Sequence, residues 1–476
     1  MFISLLIMTR YVGEEYGIMM WGWSILGLIN ILSDLGFDTA TVKFISQGKD
    51  QNSCISTHLF IKSILIGTIV LITAVYLGVL ILSGGIETEN VIIVLVFLVY
   101  YTVGDLVWVL VRTFDGRLEA TKSAIVQASD VSVRSAILIA LALSGASAAM
   151  LSTGYIVGVI FSLIVAVFLF RGIKFKLVRP VFLKEYVSYA KPIAVGLLLV
   201  TAISFTDRVM VGFFWGTSEL GFYSAAMGLA YAATAVGVAL NYVLLPRFSE
   251  LFSAGDRTSL ESVLWKSEKY ISMLFLPVVI FLMVFGDSIA AVFLGAGFVP
   301  AGMILSILAP YIYLAIMLGI LTQVLYSTNN NRLYRNATFV YAVSTFTLLV
   351  LLVPENIGSI RLAGLGANGA ALAITFGYLV FILLTHHFVV VSTKLHLHKG
   401  LIRQFLAGAI VFAVVFLIGR EGPFGLPYLI LLLLLCFALF SAILFLLKEM
   451  KKEDLVFILS SLNPRKISGD SDDKKS

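Results

Sequence analysis

Six ionisable residues, Asp34, Asp105, Asp130, Arg134, Asp207 and Arg208, stand inside apolar stretches. An ionisable group at a bilayer centre costs about 2.5–3.5 kcal/mol on insertion scales, so it faces a bundle interior or a water-filled path. Asp207 and Arg208 are adjacent in ISFTDRVMVGFFWGTSELGFYS, residues 203–224. Neighbours on a helix point about 100° apart, so the pair is expected not to join, and each needs a partner on another element. A helix that shows unlike charges to two neighbours suits the wall of a cavity. Arg208 is fit to grip a phosphate through two parallel hydrogen bonds. Asp207 either anchors the Arg208 helix or holds a proton or Na⁺, and purely structural pairing is the alternative for both. Asp130 and Arg134, at i and i+4, share one helical face and are expected to neutralise each other. They serve either as a buried register pin or as part of a substrate path. Lys62 lies about a turn inside its span and is expected to snorkel to the interface. Asp38, close to Lys43, is expected to be interfacial too.

Covalent and nucleotide chemistry find no support. No phosphate-binding GxxxxGK[ST] loop, GxSxG or HExxH occurs in the chain. The histidines of HHF and KLHLHKG (386–400) lie beside neither carboxylates nor cysteines, and Cys54 and Cys436 are far apart, so no metal site or disulfide is expected.

The elements that must hold these charges follow from composition. Of 476 residues 60% are hydrophobic and only 13% charged, against about 25% charged in soluble domains. Continuous apolar runs, each long enough to cross about 30 Å of hydrocarbon, recur along the chain. The alternating ten-residue strands of a barrel are absent. The fold class is therefore an all-α integral membrane protein. Fourteen spans are expected, at 1–10, 17–41, 57–82, 91–111, 126–144, 150–170, 192–214, 220–245, 268–285, 301–326, 337–353, 363–389, 403–419 and 426–447. The first is short: nine residues before Arg10 make about 14 Å of helix, half a crossing. Further apolar residues upstream of the given start are expected. No cleavable signal is evident at this terminus.

Loop charge gives the orientation. Alternate loops and the tail carry twenty-seven of the 33 Lys and Arg; the opposite loops carry Arg10, Arg361 and Arg420 alone. Under the positive-inside rule the C-terminus is cytoplasmic. The net charge of +6 is thus topology and not a nucleic-acid patch.

The basic stretch 172–191 divides the chain. We expect an N-terminal six-helix bundle at 1–171, this cytoplasmic linker, a second six-helix bundle at 192–392, two added spans at 393–447 and a cytoplasmic tail at 448–476. The halves echo each other at an offset of 204: Glu15 meets Glu219, Gly17 meets Gly221, Lys43 meets Arg247 and Phe44 meets Phe248. An even number of spans per half makes this a parallel repeat about an axis along the membrane normal.

Several stretches carry a resemblance: RYVGEEYGIMMWGWSILGLINILSDLGFDTATVKFIS (10–46), LKEYVSYAKPIAVG (183–196), DRVMVGFFWGTSELGFYSAAMGLA (207–230), ALNYVLLPRFSEL (239–251), FLGAGFVPAGMILSILAP (293–310) and LGANGAALA (365–373). The chain resembles, over nearly all its length, the polysaccharide-transporter branch of the MOP flippase superfamily. That resemblance implies two six-helix bundles related by a pseudo-two-fold axis, with two further helices. The implied activity is movement of a lipid-diphosphate-linked oligosaccharide across the cytoplasmic membrane by alternating access, with no enzymatic step and no cofactor. Arg208, Arg134 and Arg10 are then expected on the headgroup, and Asp207, Asp34, Asp105 and Asp130 as ion-coupling groups or charge partners. Membrane lipid, glycan-assembly enzymes and H⁺ or Na⁺ are the implied partners. An ion-coupled multidrug or metabolite antiporter of the same superfamily is the main rival. A non-transporting scaffold for glycan assembly is another.

Overall fold

In hydrocarbon every backbone polar group needs an internal partner, and apolar runs of this length answer that demand as helices. The computed structural model describes residues 1–85, 87–396, 398, 400–419, 424–450 and 454, excluding the side chains of 192, 193, 195, 197, 200, 236, 238–240, 242 and 243. Lys399, Arg420 and most of the 448–476 tail lie outside these residues.

The helices are α1 (Phe2–Tyr11), α2 (Gly13–Ile29), α3 (Phe37–Ser46), α4 (Gln51–Leu82), α5 (Thr88–Gly116), α6 (Ala120–Leu143) and α7 (Ala148–Phe170). Then come α8 (Leu183–Ser253), α9 (Arg257–Phe293), α10 (Pro300–Ser327), α11 (Asn331–Leu352), α12 (Gly366–Thr393), α13 (Leu401–Gly419) and α14 (Leu426–Leu446). A two-residue-per-strand hairpin pairs Asn356 with Arg361 between α11 and α12. Among the described residues, eleven helical segments are long and apolar enough to cross a membrane. With α1 and the two spans carried by α8, they account for the fourteen expected, and the protein is multi-pass.

α8 is two helices joined at a kink, where Gly216 has φ 88° and ψ 179°. Only glycine adopts that conformation without strain. The chain reverses there: the Tyr223 hydroxyl donates to Asp207 Oδ2 at 2.6 Å, although sixteen residues of straight helix would hold them about 24 Å apart. Residues 192–214 and 220–245 are thus the two arms of a helical hairpin.

Span two departs from expectation. α2 runs into a 3₁₀ turn at Asn30–Ser33, and the backbone then extends at Asp34 (φ −133°, ψ 96°) and turns left-handed at Gly36 (φ 95°) before α3 starts. Asp34 is therefore not a mid-helix charge. Its Oδ1 accepts the backbone N–H of Gly36 and of Asp38, each at 3.1 Å, and so secures the start of α3.

The two halves reuse local devices. Asp50 accepts the N–H of Ser53 to cap α4, and Asp256 accepts that of Ser259 to cap α9. Hydrogen bonds from the Ser53 and Ser259 side chains, and next from these backbone N–H groups, hold both carboxyls below the ordinary aspartate range. Glu15 accepts the N–H of Ala148 at the start of α7 (2.6 Å), and Glu219 accepts that of Ala367 at the start of α12 (3.4 Å). Carboxylates beside helix N-termini are favoured by the exposed amides and the helix dipole.

The 171–182 segment is not helical; it is strapped to α4 by Lys176 N–H to Asn52 and Val178 N–H to Ser56 Oγ. The last residues of the expected linker, from Leu183, already belong to α8. α13 and α14 pack on α9.

Candidate functional site

Charged side chains collect around a cleft of about 730 Å³ lined by the 3₁₀ turn after α2 with Asp34, and by α3, α4, α5, α6 and α7, with Thr201 of α8. At its centre is Lys62 of α4, which is 1% exposed. Its Nζ lies 3.3 Å from Asp38 Oδ1 and 3.2 Å from Asp105 Oδ1. His58, one helical turn earlier on the same face of α4, puts Nε2 3.2 Å from Asp38 Oδ1. Arg112, two turns beyond Asp105 on α5, reaches Asp38 Oδ2 at 3.3 Å and Asp115 at 3.0 Å. This overturns the expectation that Lys62 snorkels, and it buries Asp38 against Lys62 at 5% exposure. Both face inward because the break at Asp34–Gly36 turns α3 so that Asp38 meets α4 and α5. A polar face was visible in the spacing of His58 with Lys62 and of Asp105 with Arg112; which faces meet was not.

On α6 the expected Asp130–Arg134 pair forms, at 3.0 Å. Arg134 also donates to the Tyr100 hydroxyl at 2.7 Å and lies over the Tyr155 ring at 4.9 Å. α7 comes this close because residue 158 is glycine; a Cβ there would stand 2.7 Å from Arg134 Cβ and 2.8 Å from Asp130 Oδ1. The cleft wall thus carries Asp34, Asp38, Asp105 and Asp130 against Lys62, Arg112 and Arg134.

Asp207 and Arg208 do not line this cleft. Both are buried, at 1% and 5% exposure. Contrary to expectation they meet: Arg208 Nη1 is 3.6 Å from Asp207 Oδ1. The long Arg208 side chain bends back to donate to the Ser204 carbonyl at 2.6 Å, which brings its head toward the preceding residue. Its guanidinium carbon lies 5.5 Å from the centre of the Trp23 ring. Trp23 belongs to α2, and its carbonyl accepts the Tyr101 hydroxyl at 3.4 Å. Tyr101 lines the cleft. Trp23 and Tyr101 therefore link the buried Arg208 to the cleft wall.

Arg10 lies at the other end of α2. Its Nη2 donates to the Val292 carbonyl of α9 at 2.7 Å. α2 starts at a second cavity lined by Arg10 and Gly13 and ends at the cleft, which Asn30 lines; its 17 residues span about 25 Å. Between the two spaces α2 is clamped to the α8 hairpin. Trp23 packs on Phe205 with ring centres 5.0 Å apart. A Cβ on Gly27 would collide with Phe205, and one on Gly17 with the Thr217 carbonyl. A Cβ on Gly221 would lie 3.1 Å from Gly17 Cα. Gly17 and Gly221, which the sequence reading paired at the offset of 204, thus touch each other. Gly17→Val should lower stability by about 1–3 kcal/mol, the usual cost of overpacking. Gly67→Val, at a glycine with open space around it, should cost much less; thermal unfolding in detergent compares the two, and equal losses would refute the close seal.

The arrangement can hold an anion on cations already engaged by carboxylates, and it offers two spaces joined by a closed seam. Comparisons with known proteins agree in fold. A family model described as polysaccharide biosynthesis protein matches residues 1–252. A protein of Haloferax volcanii described as a probable low-salt glycan biosynthesis flippase, Agl15, is 23% identical over 394 residues, covering 82% of this chain and 79% of that protein. Among solved structures, the lipid II flippase MurJ in an inward closed conformation is similar with a TM-score of 0.73 at 15% identity, over 93% of this chain and 95% of MurJ. An inward-facing multidrug resistance MATE transporter of the MOP superfamily gives 0.58 at 14% identity, over 82% and 94% of the two chains.

Proposed function

This chain belongs to the polysaccharide biosynthesis protein family, and from that premise we propose that it is a flippase for lipid-diphosphate-linked oligosaccharide. It works by alternating access in the cytoplasmic membrane, with its basic loops and C-terminus in the cytoplasm. The observation that carries this is the cleft whose lining includes Lys62, Arg112 and Arg134. A diphosphate head cannot cross hydrocarbon without replacing its lost hydration, and these cations supply the replacement. The lipid tail stays in the bilayer.

Two arginines then stand at successive stations for the diphosphate head, Arg134 in the cleft and Arg208 buried behind Trp23, and Arg10 lies beyond the Gly17–Gly221 contact, on the release side. Rocking of residues 1–171 against 192–392 parts the seam and passes the head from one station to the next. The carboxylates set a condition on this. The cleft already holds four carboxylates against three cations, so a phosphate that takes Lys62 or Arg134 strands an aspartate in a dry site. Uptake of H⁺ or Na⁺ by Asp105 or Asp130 removes that penalty and couples cargo to an ion. The chemistry asked of the protein is binding and movement; no bond in the cargo is made or broken.

The excess of carboxylates also favours a second reading, an antiporter for cationic drugs or metabolites. Vesicles reconstituted with this protein and a fluorescent lipid-linked oligosaccharide decide between them. Flipping, with Arg134→Ala slowing it about tenfold or more for the loss of about 1.5–3 kcal/mol of charge-assisted hydrogen bonding, is the expected result. Cation efflux without flipping would overturn it.

A further inference from the structure

The second cavity, at the far end of α2, has a volume of about 770 Å³, well within the range of ligand sites. It opens between the α1–α2 corner, the Gly216 turn and the α9–α10 connection, with Arg10, Glu14, Thr9, Thr217 and Ser218 as its polar side chains. Phe222 and Phe298 form its apolar part, with ring centres 5.2 Å apart and planes at 84°. Its chemistry differs from that of the cleft. One guanidinium and one carboxylate leave the lining formally neutral, a poor match for a diphosphate. Hydroxyls, a planar cation and a planar anion beside aromatic rings match a sugar instead, which offers both donors and acceptors around an apolar ring face.

We propose that this cavity is a release-side subsite for the carbohydrate part of the cargo; the assignment rests on the flippase function above. Arg10 is the group through which occupancy acts. In the closed seam it donates to the Val292 carbonyl, one of the last-turn carbonyls of α9 that lack a helical partner. The bond ties α1 to α9, elements 282 residues apart. Around it the α1–α2 corner is wedged against Phe298: a Cβ on Gly13 would collide with that ring, and Tyr16 packs on it at 6.4 Å. A sugar hydroxyl that accepts from Arg10 takes it from Val292 and cuts the tie. The same cavity thus receives the glycan and loosens the face through which it leaves.

The test uses the full chain in vesicles with Cys54→Ser, Cys436→Ala and Ser218→Cys, labelled by a membrane-impermeant maleimide. The probes are the lipid-linked oligosaccharide fraction extracted from the source cells and the lipid phosphate that remains of it (the cleaved fraction) after mild acid has released the glycan and washing has removed it. The intact fraction should slow labelling about tenfold at saturating occupancy, the cleaved fraction should not, and Glu14→Gln with Arg10→Ala should abolish the protection. Protection by the cleaved fraction would assign the cavity to phosphate or lipid and overturn the proposal. Absence of protection in vesicles that still flip the intact fraction would overturn it while leaving the flippase function standing; absence of flipping as well would bring down both.

Discussion

Lys62→Met should destabilise the protein by about 3–5 kcal/mol, the cost of leaving a buried charge without its partner. Lys62 is 1% exposed and bridges Asp38 on α3 and Asp105 on α5. The two carboxylates are not equal once it is gone. Asp38 keeps Arg112 at 3.3 Å and the His58 ring at 3.2 Å, whereas Asp105 has no other cation within ion-pair distance among the described residues. Adding Asp105→Asn to Lys62→Met should therefore restore most of the loss, and adding Asp38→Asn should restore little. Thermal unfolding of the four purified proteins in detergent reads the difference. Equal rescue by both asparagines would refute the bridge as the organising contact of the cleft.

Arg208→Ala should reduce flipping of lipid-linked oligosaccharide by about tenfold to a hundredfold, the range set by losing about 1.5–3 kcal/mol of charge-assisted hydrogen bonding to a phosphate. Arg208→Lys should recover little, because an ammonium cannot grip two phosphate oxygens at once. The buried Asp207 complicates the single variant, since Arg208 is its one ion-pair partner among the described residues. Its other contacts are the Tyr223 hydroxyl and the Arg208 backbone N–H. Asp207→Asn with Arg208→Gln removes both charges and should fold well while still failing to flip. Wild-type flipping by that double variant would make the pair a structural pin of the α8 hairpin and nothing more.

How far the sequence reaches is best seen residue by residue. Asp130 and Arg134 were legible as a pair because helical geometry alone sets two residues four apart on one face. The spans were legible because hydrocarbon dictates their length and their polarity. Gly17 and Gly221 were legible as residues that match at the offset of 204, and their contact was not: only the packing of α2 on the α8 hairpin sets one against the other. Lys62 was misread because distance from a span edge says how deep a charge lies, and the break at Asp34–Gly36 decides which partners wait for it there. Asp207 and Arg208 were misread because the 100° rule fixes Cβ directions, while a long guanidinium can fold back onto its own helix.

By itself, then, the sequence determined a membrane-spanning helical protein, its spans and the residues that must be kept from lipid. Those are consequences of backbone hydrogen bonding and hydration, which act locally. The tertiary structure alone decided that Lys62 bridges two aspartates, that Tyr223 closes on Asp207 across a reversal at Gly216, and that two cavities lie at opposite ends of α2. Each of these depends on which helix faces meet, and shape complementarity between segments distant in the chain sets that choice.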